Sequence, residues 1–260
     1  MPKAVRLRAE DLSAGYAGTP VLDSLTVAIP DGELTAIVGP NACGKSTLLR
    51  TLARLQPAGS GQAVLDGKAI HRQGRRSVAQ RLAILPQTPS APDGLTVHDL
   101  VARGRTPYQS ALRQWSQQDA EAVARALDLT NMTGNAHRPL EALSGGQRQR
   151  AWIAMALAQE TGILLLDEPT TYLDLPHQIE LLKLVQRLNR ETGRTVAMVL
   201  HDINLAARFA SRMIALKDGR VLCQGTPSEV VTEAVLQSVF ALPCRIIPDP
   251  LHGTPHVIPE

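Results

Sequence analysis

Eight consecutive residues constrain this chain more than any others. Gly39-Pro40-Asn41-Ala42-Cys43-Gly44-Lys45-Ser46 fits G-x-x-x-x-G-K-[ST] and lies between two legible elements. Before it, Leu34 to Val38 reads as a short apolar strand. After it, Leu48, Leu49, Leu52 and Leu55 recur at helical spacing. A glycine-containing turn into a helix is the plain reading of such a junction. The fuller reading is an anion cradle: backbone N–H groups converge at the positive end of a helix, where phosphate is favoured. Lys45 then reaches the β- and γ-phosphates of a nucleotide, Ser46 holds Mg²⁺ through its hydroxyl, and Thr47 adds a phosphate contact. Cys43 reads as a small filler, because no base stands near it in the sequence.

The rest of the chain alternates strand and helix signals. Leu25, Val27 and Ile29 alternate with polar or small residues before Pro30-Asp31-Gly32 breaks the run. Ile84-Leu85 closes a strand, and Pro86, Pro89 and Pro92 mark a loop. From about Val97 to Glu160 the pattern is helical, including Asp119 to Leu127 and Gln147 to Ala158. Gly162 to Asp167 and Thr195 to Leu200 are continuous apolar runs of the kind covered on both faces in a parallel sheet. Between them Pro176 to Asn189 is an amphipathic helix ending near Gly193, and Met213 to Gln224 is a hairpin turning on Asp218-Gly219. These signals predict an α/β fold with a mostly parallel core sheet, an N-terminal antiparallel β portion and an α-helical subdomain. The expected organisation is one domain over 1–260. Its core falls at about 1–87 and 161–225, the helical part at about 88–160, and a C-terminal extension at about 226–260.

Composition removes several function classes. The 27 basic and 24 acidic residues leave a net charge of +3, too even for a nucleic-acid groove, and 3% aromatics cannot build a base-stacking array. Residues 1–12 carry Glu10 and Asp11 and lack the apolar segment of a signal peptide. No apolar run reaches the roughly 18 residues that cross a bilayer. Cys43, Cys223 and Cys244 form no metal spacing, so the chain reads as reduced and cytosolic, with any membrane work passing through a partner.

Leu143-Ser144-Gly145-Gly146-Gln147 sharpens the picture. Ser144 and Gln147 have the spacing of a capping box. That alone leaves two glycines in the first helical turn unexplained, each costing about 1 kcal/mol against Ala. Close backbone approach to an anion held by a second, head-to-tail copy explains them.

With this segment in place the sequence resembles the ABC transporter ATPases, P-loop NTPases, over essentially its whole length. The resemblance implies that two subunits sandwich two ATP molecules, each between one phosphate loop and the other subunit's Ser144, Gly145, Gly146 and Gln147. Ile163 to Glu168 resembles the strand that delivers Asp167 to the Mg²⁺ shell and Glu168 to the attacking water; an acidic pair there also reads simply as a helix start. His201, after the Thr195 to Leu200 strand, resembles the switch histidine, with the other six histidines expected at the surface. Gln87 resembles the glutamine that reaches Mg²⁺ and links catalysis to the helical part. Asp174 resembles an aspartate at the dimer interface. Tyr16 resembles the ring that stacks on adenine; a core or edge tyrosine is the plainer alternative. Ala42 departs from the family, where Gly is usual, and predicts local strain if φ is positive there.

Further segments, Ala102 to Arg105, Ala151 to Met155, Leu200 to Leu205 and Pro248 to Pro255, are similar to the branch serving ferric siderophore importers, with vitamin B12 and haem importers as the alternative. An iron–sulfur assembly ATPase shares the same motifs. The resemblance implies a homodimer at the cytoplasmic face of the inner membrane. Its further partners are two integral-membrane permease subunits, received by a socket from Gln87 to about Tyr108, and indirectly a siderophore-binding protein. It implies no nucleic acid.

Overall fold

Apolar runs of four or five residues without polar alternation become strands covered on both faces. The computed structural model, which describes residues 5–16, 18–110 and 114–260, shows this in its central sheet. Residues 1–4, the start of the segment read as carrying no leader, lie outside the described residues. In chain order the strands and helices are β1 (Leu7–Tyr16), β2 (Thr19–Ile29), β3 (Leu34–Val38), α1 (Lys45–Leu52), β4 (Ser60–Leu65), β5 (Lys68–Ala69), α2 (Arg75–Ala79) and β6 (Leu82–Leu85). There follow α3 (Val97–Ala102), α4 (Gln117–Leu129), α5 (Gly145–Ala158), β7 (Ile163–Leu166), α6 (Leu175–Thr192), β8 (Thr195–Val199) and α7 (Ile203–Phe209). The chain closes with β9 (Arg212–Lys217), β10 (Arg220–Gly225), α8 (Pro227–Val230), α9 (Glu233–Phe240), β11 (Cys244–Pro248) and β12 (Pro255–Pro259).

The central sheet has the order β10-β9-β3-β8-β7-β6, parallel throughout except for the β9–β10 hairpin. That hairpin turns on Asp218 and Gly219, both with positive φ, as a two-residue turn matched to strand twist requires. Side chains alternate across the sheet. Ala36, Leu164, Leu166, Val196 and Met198 enter one core, shared with α3, α4, α5, α6 and α7. Ile37, Ile163, Leu165, Ala197 and Val199 enter a second core under α1 and the N-terminal sheet. That sheet, β2-β1-β4-β5, is antiparallel. Parallel stacking therefore brings the C-terminal ends of β3, β7, β8 and β6 to one edge, where ligands of open α/β sheets bind.

The helical segment is anchored by a buried charge cluster. Arg105 donates through Nε to Asp119 Oδ1 at 2.8 Å and through Nη1 to Ala158 O at 2.7 Å and Glu160 Oε2 at 2.9 Å. The guanidinium also lies 4.0 Å from the centre of the Tyr108 ring. Asp119 closes a capping box with Ser116 at the start of α4. Burial pushes the Asp119 carboxyl up, but the Arg105 and Ser116 hydrogen bonds outweigh it and hold the carboxyl below its ordinary 3.8. A lowered folded-state value means that this stabilisation is full above 3.8 and is lost as pH falls through the folded value. Asp119→Ala takes one of its carboxylate partners from a buried guanidinium and removes a cap. It is expected to lower unfolding free energy by about 3 kcal/mol in a urea titration at pH 7.

Candidate functional site

The loop between β3 and α1 is shaped by contacts that exclude side chains. A Cβ on Gly39 would stand 2.3 Å from Leu216 O, and one on Gly44, at φ 103°, would stand 2.5 Å from Leu22 Cδ2. Ala42 does adopt φ 62°, a left-handed conformation that costs an L-residue about 1 kcal/mol. The expected strain is present, and Ala42→Gly should leave thermal stability unchanged or raise it slightly, because relieved strain offsets the added freedom of the unfolded chain. Cys43 is 5% exposed and burial pushes its thiol up, which makes it a filler. Lys45 opens α1, is 5% exposed, and folds over its own loop, donating to Gly39 O at 2.9 Å and Pro40 O at 2.7 Å. A buried ammonium hydrogen-bonded to loop carbonyls suits an incoming anion, which would bring the opposite charge that the carbonyls lack.

Two carboxylates stand at the end of β7. Asp167 accepts from Ser46 Oγ at 2.7 Å through Oδ1. Among the described residues its Oδ2 is buried without a hydrogen-bond partner, with Arg50 Nε at 3.8 Å. Burial raises the Asp167 carboxyl and Glu168 adds to the rise, against Ser46, Arg50 and Lys45. An orphaned carboxylate oxygen beside a serine hydroxyl is an all-oxygen donor set that fits Mg²⁺. Glu168 follows with φ 51° and gathers its neighbours onto Oε2: Gln87 Nε2 at 2.6 Å, His201 Nε2 at 2.8 Å and Thr171 Oγ1 at 3.1 Å. Burial pushes Glu168 up, but His201, Thr171 and Gln87 together hold it below its ordinary 4.5. The Glu168 carboxyl is therefore ionised at neutral pH and able to accept a proton. His201 leaves the end of β8 half-exposed, so residues 87, 168 and 201 meet although three separate elements carry them.

A cleft of about 250 Å³ is lined by Tyr16, Asn41, Ala42, Gly44, Lys45, Ser46, Thr47 and Glu168, among others. Tyr16 stands 44% exposed, which favours a ring presented at the rim over a core tyrosine. None of the residues 144–147 lines this cleft. They open α5, where Ser144 accepts from Gln147 N at 3.3 Å and Gln147 Oε1 accepts from Ser144 N at 3.2 Å, a complete capping box. The two glycines there have different explanations. A Cβ on Gly146 would lie 2.8 Å from the His177 ring, so that glycine already has a reason within the chain. A Cβ on Gly145 meets nothing nearer than 3.9 Å, so no packing contact of the chain itself requires a glycine there. Asp174 caps α6 by accepting from His177 N at 3.3 Å.

The sequence pattern did not single out Thr171 or Arg50. A hydroxyl three residues after a strand-end carboxylate is the signal for Thr171. Arg50, one helical turn beyond Ser46, carries the corresponding signal at Asp167.

An anion loop facing paired strand-end carboxylates, with a histidine and a glutamine converging on one of them, defines a nucleotide-hydrolysing cassette. Comparison with known proteins agrees. The family model described as ABC transporter matches residues 22–171. The chain is 53% identical to the ferric enterobactin transport ATP-binding protein FepC of Escherichia coli K12, over 98% of this chain and 94% of that protein. It is 52% identical to the iron(3+)-hydroxamate import ATP-binding protein FhuC of Bacillus subtilis 168, over 96% and 93%. A solved ABC transporter in an inward-facing conformation superposes with a TM-score of 0.84 at 30% identity, covering 100% of this chain and 98% of that one. The chain belongs to the ABC transporter family, as an ATP-binding and ATP-hydrolysing cassette.

Proposed function

We propose that this cassette energises ferric siderophore import. The observation that carries it is similarity over nearly the whole chain, at nearly equal identity, to cassettes named for ferric enterobactin and for iron(3+)-hydroxamate. Equal similarity to two chelate chemistries fits a subunit that never touches the chelate and reads only its permease. Two integral-membrane permease subunits, fed by a siderophore-binding protein, would hold the chain at the cytoplasmic face of the inner membrane. No described helix is long and apolar enough to cross a membrane, which fits peripheral attachment. The stretch from just after Gln87 to about Tyr108, largely exposed up to Gly94 and packing Val97, Leu100, Val101 and Arg105 inward beyond it, is the proposed socket, within a helical part spanning about 88–160.

In the reaction we assign, Lys45 and Thr47 bind the phosphates in the cradle of residues 39–46, and Tyr16 stacks on adenine. Ser46, Asp167 and Gln87 would hold Mg²⁺, which supplies charge neutralisation at the phosphates. Glu168 takes the proton of the attacking water, and His201 and Gln87 fix its carboxylate. A cleft of about 250 Å³ is smaller than sites that enclose a ligand alone. A second copy presenting residues 144–147, with Asp174 at the interface, would close it. Transport of labelled ferric siderophore by cells lacking this chain tests the substrate, with vitamin B12 and haem as controls. Loss of siderophore uptake alone is expected; loss of haem or B12 uptake alone would reassign it.

A further inference from the structure

His201 lies one residue before the cap of a short helix, and that helix is tied to the far end of the chain. Asp202 caps α7, accepting from Leu205 N at 2.8 Å. A helix of seven residues is too short to hold itself, so its placement depends on its surroundings. One face is set by burial, because Leu205, Ala206, Ala207 and Phe209 sit in the core. Asn204 lies off that face and is only partly buried. Its amide makes a two-way bond with one residue of β12: Val257 N donates to Asn204 Oδ1 at 2.7 Å, and Asn204 Nδ2 donates to Val257 O at 3.2 Å.

The register of the hairpin explains why β12 offers both groups. Val257 pairs with Ile246 across β11–β12. Its N–H and C=O both go to Asn204, so this is a non-hydrogen-bonded pair and the polar groups of Val257 point out of the hairpin. The Asn204 amide occupies the place of a third strand, satisfying an edge that would otherwise be left open. Among side chains of this length only a carboxamide supplies a donor and an acceptor together. Val257 is itself buried to 6% exposure, so the hairpin edge is a fixed object against which α7 is registered.

We propose that Asn204 is a positioning residue for the hydrolytic step: by clamping α7 to the Val257 backbone, it sets where His201 stands against Glu168. The proposal rests on the role assigned above to His201. It makes the C-terminal hairpin part of the catalytic support rather than a passive tail. Asn204→Leu removes both bonds while keeping the number and branching of the side-chain heavy atoms. Asn204→Asp keeps the acceptor and loses the donor, turning a carboxylate towards Val257 O. Asn204→Gln retains both functions on a longer stem.

The test is ATP turnover by the purified full-length chain, normalised to the number of ATP-binding sites so that unfolded material does not count. Asn204→Leu and Asn204→Asp are expected to lower kcat by about tenfold, the loss of one or two partly buried hydrogen bonds converted to rate. The dissociation constant for ATP should stay within twofold of the parent, and Asn204→Gln should recover part of the rate. A merely structural role would lower melting temperature and site number but leave kcat per site untouched. His201→Ala runs in parallel. If it is inactive while Asn204→Leu and Asn204→Asp turn over at the parental rate, the clamp proposal is overturned alone. If His201→Ala itself turns over normally, the role of His201 falls and the clamp falls with it.

Discussion

Lys45→Ala is expected to raise the dissociation constant for ATP by at least about a hundredfold, beyond the working range of most direct assays. Lys45 is 5% exposed, and among the described residues its ammonium donates to Gly39 O and Pro40 O. Both acceptors are neutral carbonyls, which solvate the charge without opposing it, and Asp167 opposes it only at longer range. A triphosphate supplies the opposite charge inside a site of low polarisability, where charge-assisted bonds are about twice as strong as neutral ones. Removing the ammonium forfeits that attraction and leaves phosphate oxygens facing the loop carbonyls. A loss of about 3 kcal/mol corresponds to the hundredfold change. The fold should survive, because α1 is held through Leu48, Leu49 and Leu52, all fully buried. Titration calorimetry or a fluorescent ATP analogue reads the result. An affinity within threefold of the parent would mean that the cradle binds by its backbone alone, and the assignment of Lys45 would be withdrawn.

How far the sequence could be read depends on the kind of information each element stores. β3, β7 and β8 were legible because burial on both faces turns each into a short unbroken apolar run. β1 was not. Asp11 at φ 45° and the register shift between Ala9 and Leu12 break its alternation, so a ten-residue strand has no continuous period of two. β4 begins Ser-Gly-Gln and is exposed there, which reads as a loop. The hairpin of β11 and β12 is bounded by Pro248, Pro255 and Pro259, and prolines at strand ends look like breakers until the pairing is seen. The site divides in the same way. Residues of the phosphate loop and the pair at 167 and 168 are consecutive, and their order carries the chemistry. Contacts made by residues far apart in the chain were beyond reach. The Arg105–Asp119–Glu160 cluster, the His177 ring against Gly146, and Asn204 on Val257 are selected by packing, which leaves no local pattern.

Glu168→Gln is expected to bind ATP normally and to lose about a thousandfold in turnover, the middle of the range for removing a positioned proton acceptor. The substitution is close to isosteric, and an amide oxygen can still accept from Gln87 and Thr171, so the surroundings need not rearrange. What disappears is the charge. The parent carboxyl is ionised at pH 7 because His201, Thr171 and Gln87 hold it below 4.5 against the upward push of burial. An amide has no proton affinity of use in this range. The remaining rate would come from phosphate positioning, which the variant keeps. A second consequence follows if the cleft is completed by a twin subunit: ATP, no longer consumed, holds the pair shut. Light scattering of ATP-loaded Glu168→Gln should then find a particle of twice the 28.0 kDa chain mass, returning to a single chain when nucleotide is removed. Phosphate release at the parental rate would take Glu168 out of the reaction. A variant that is saturated with ATP and inactive yet stays at one chain mass, alone and with its permease, would overturn the pairing of one subunit's phosphate loop with the other's residues 144–147.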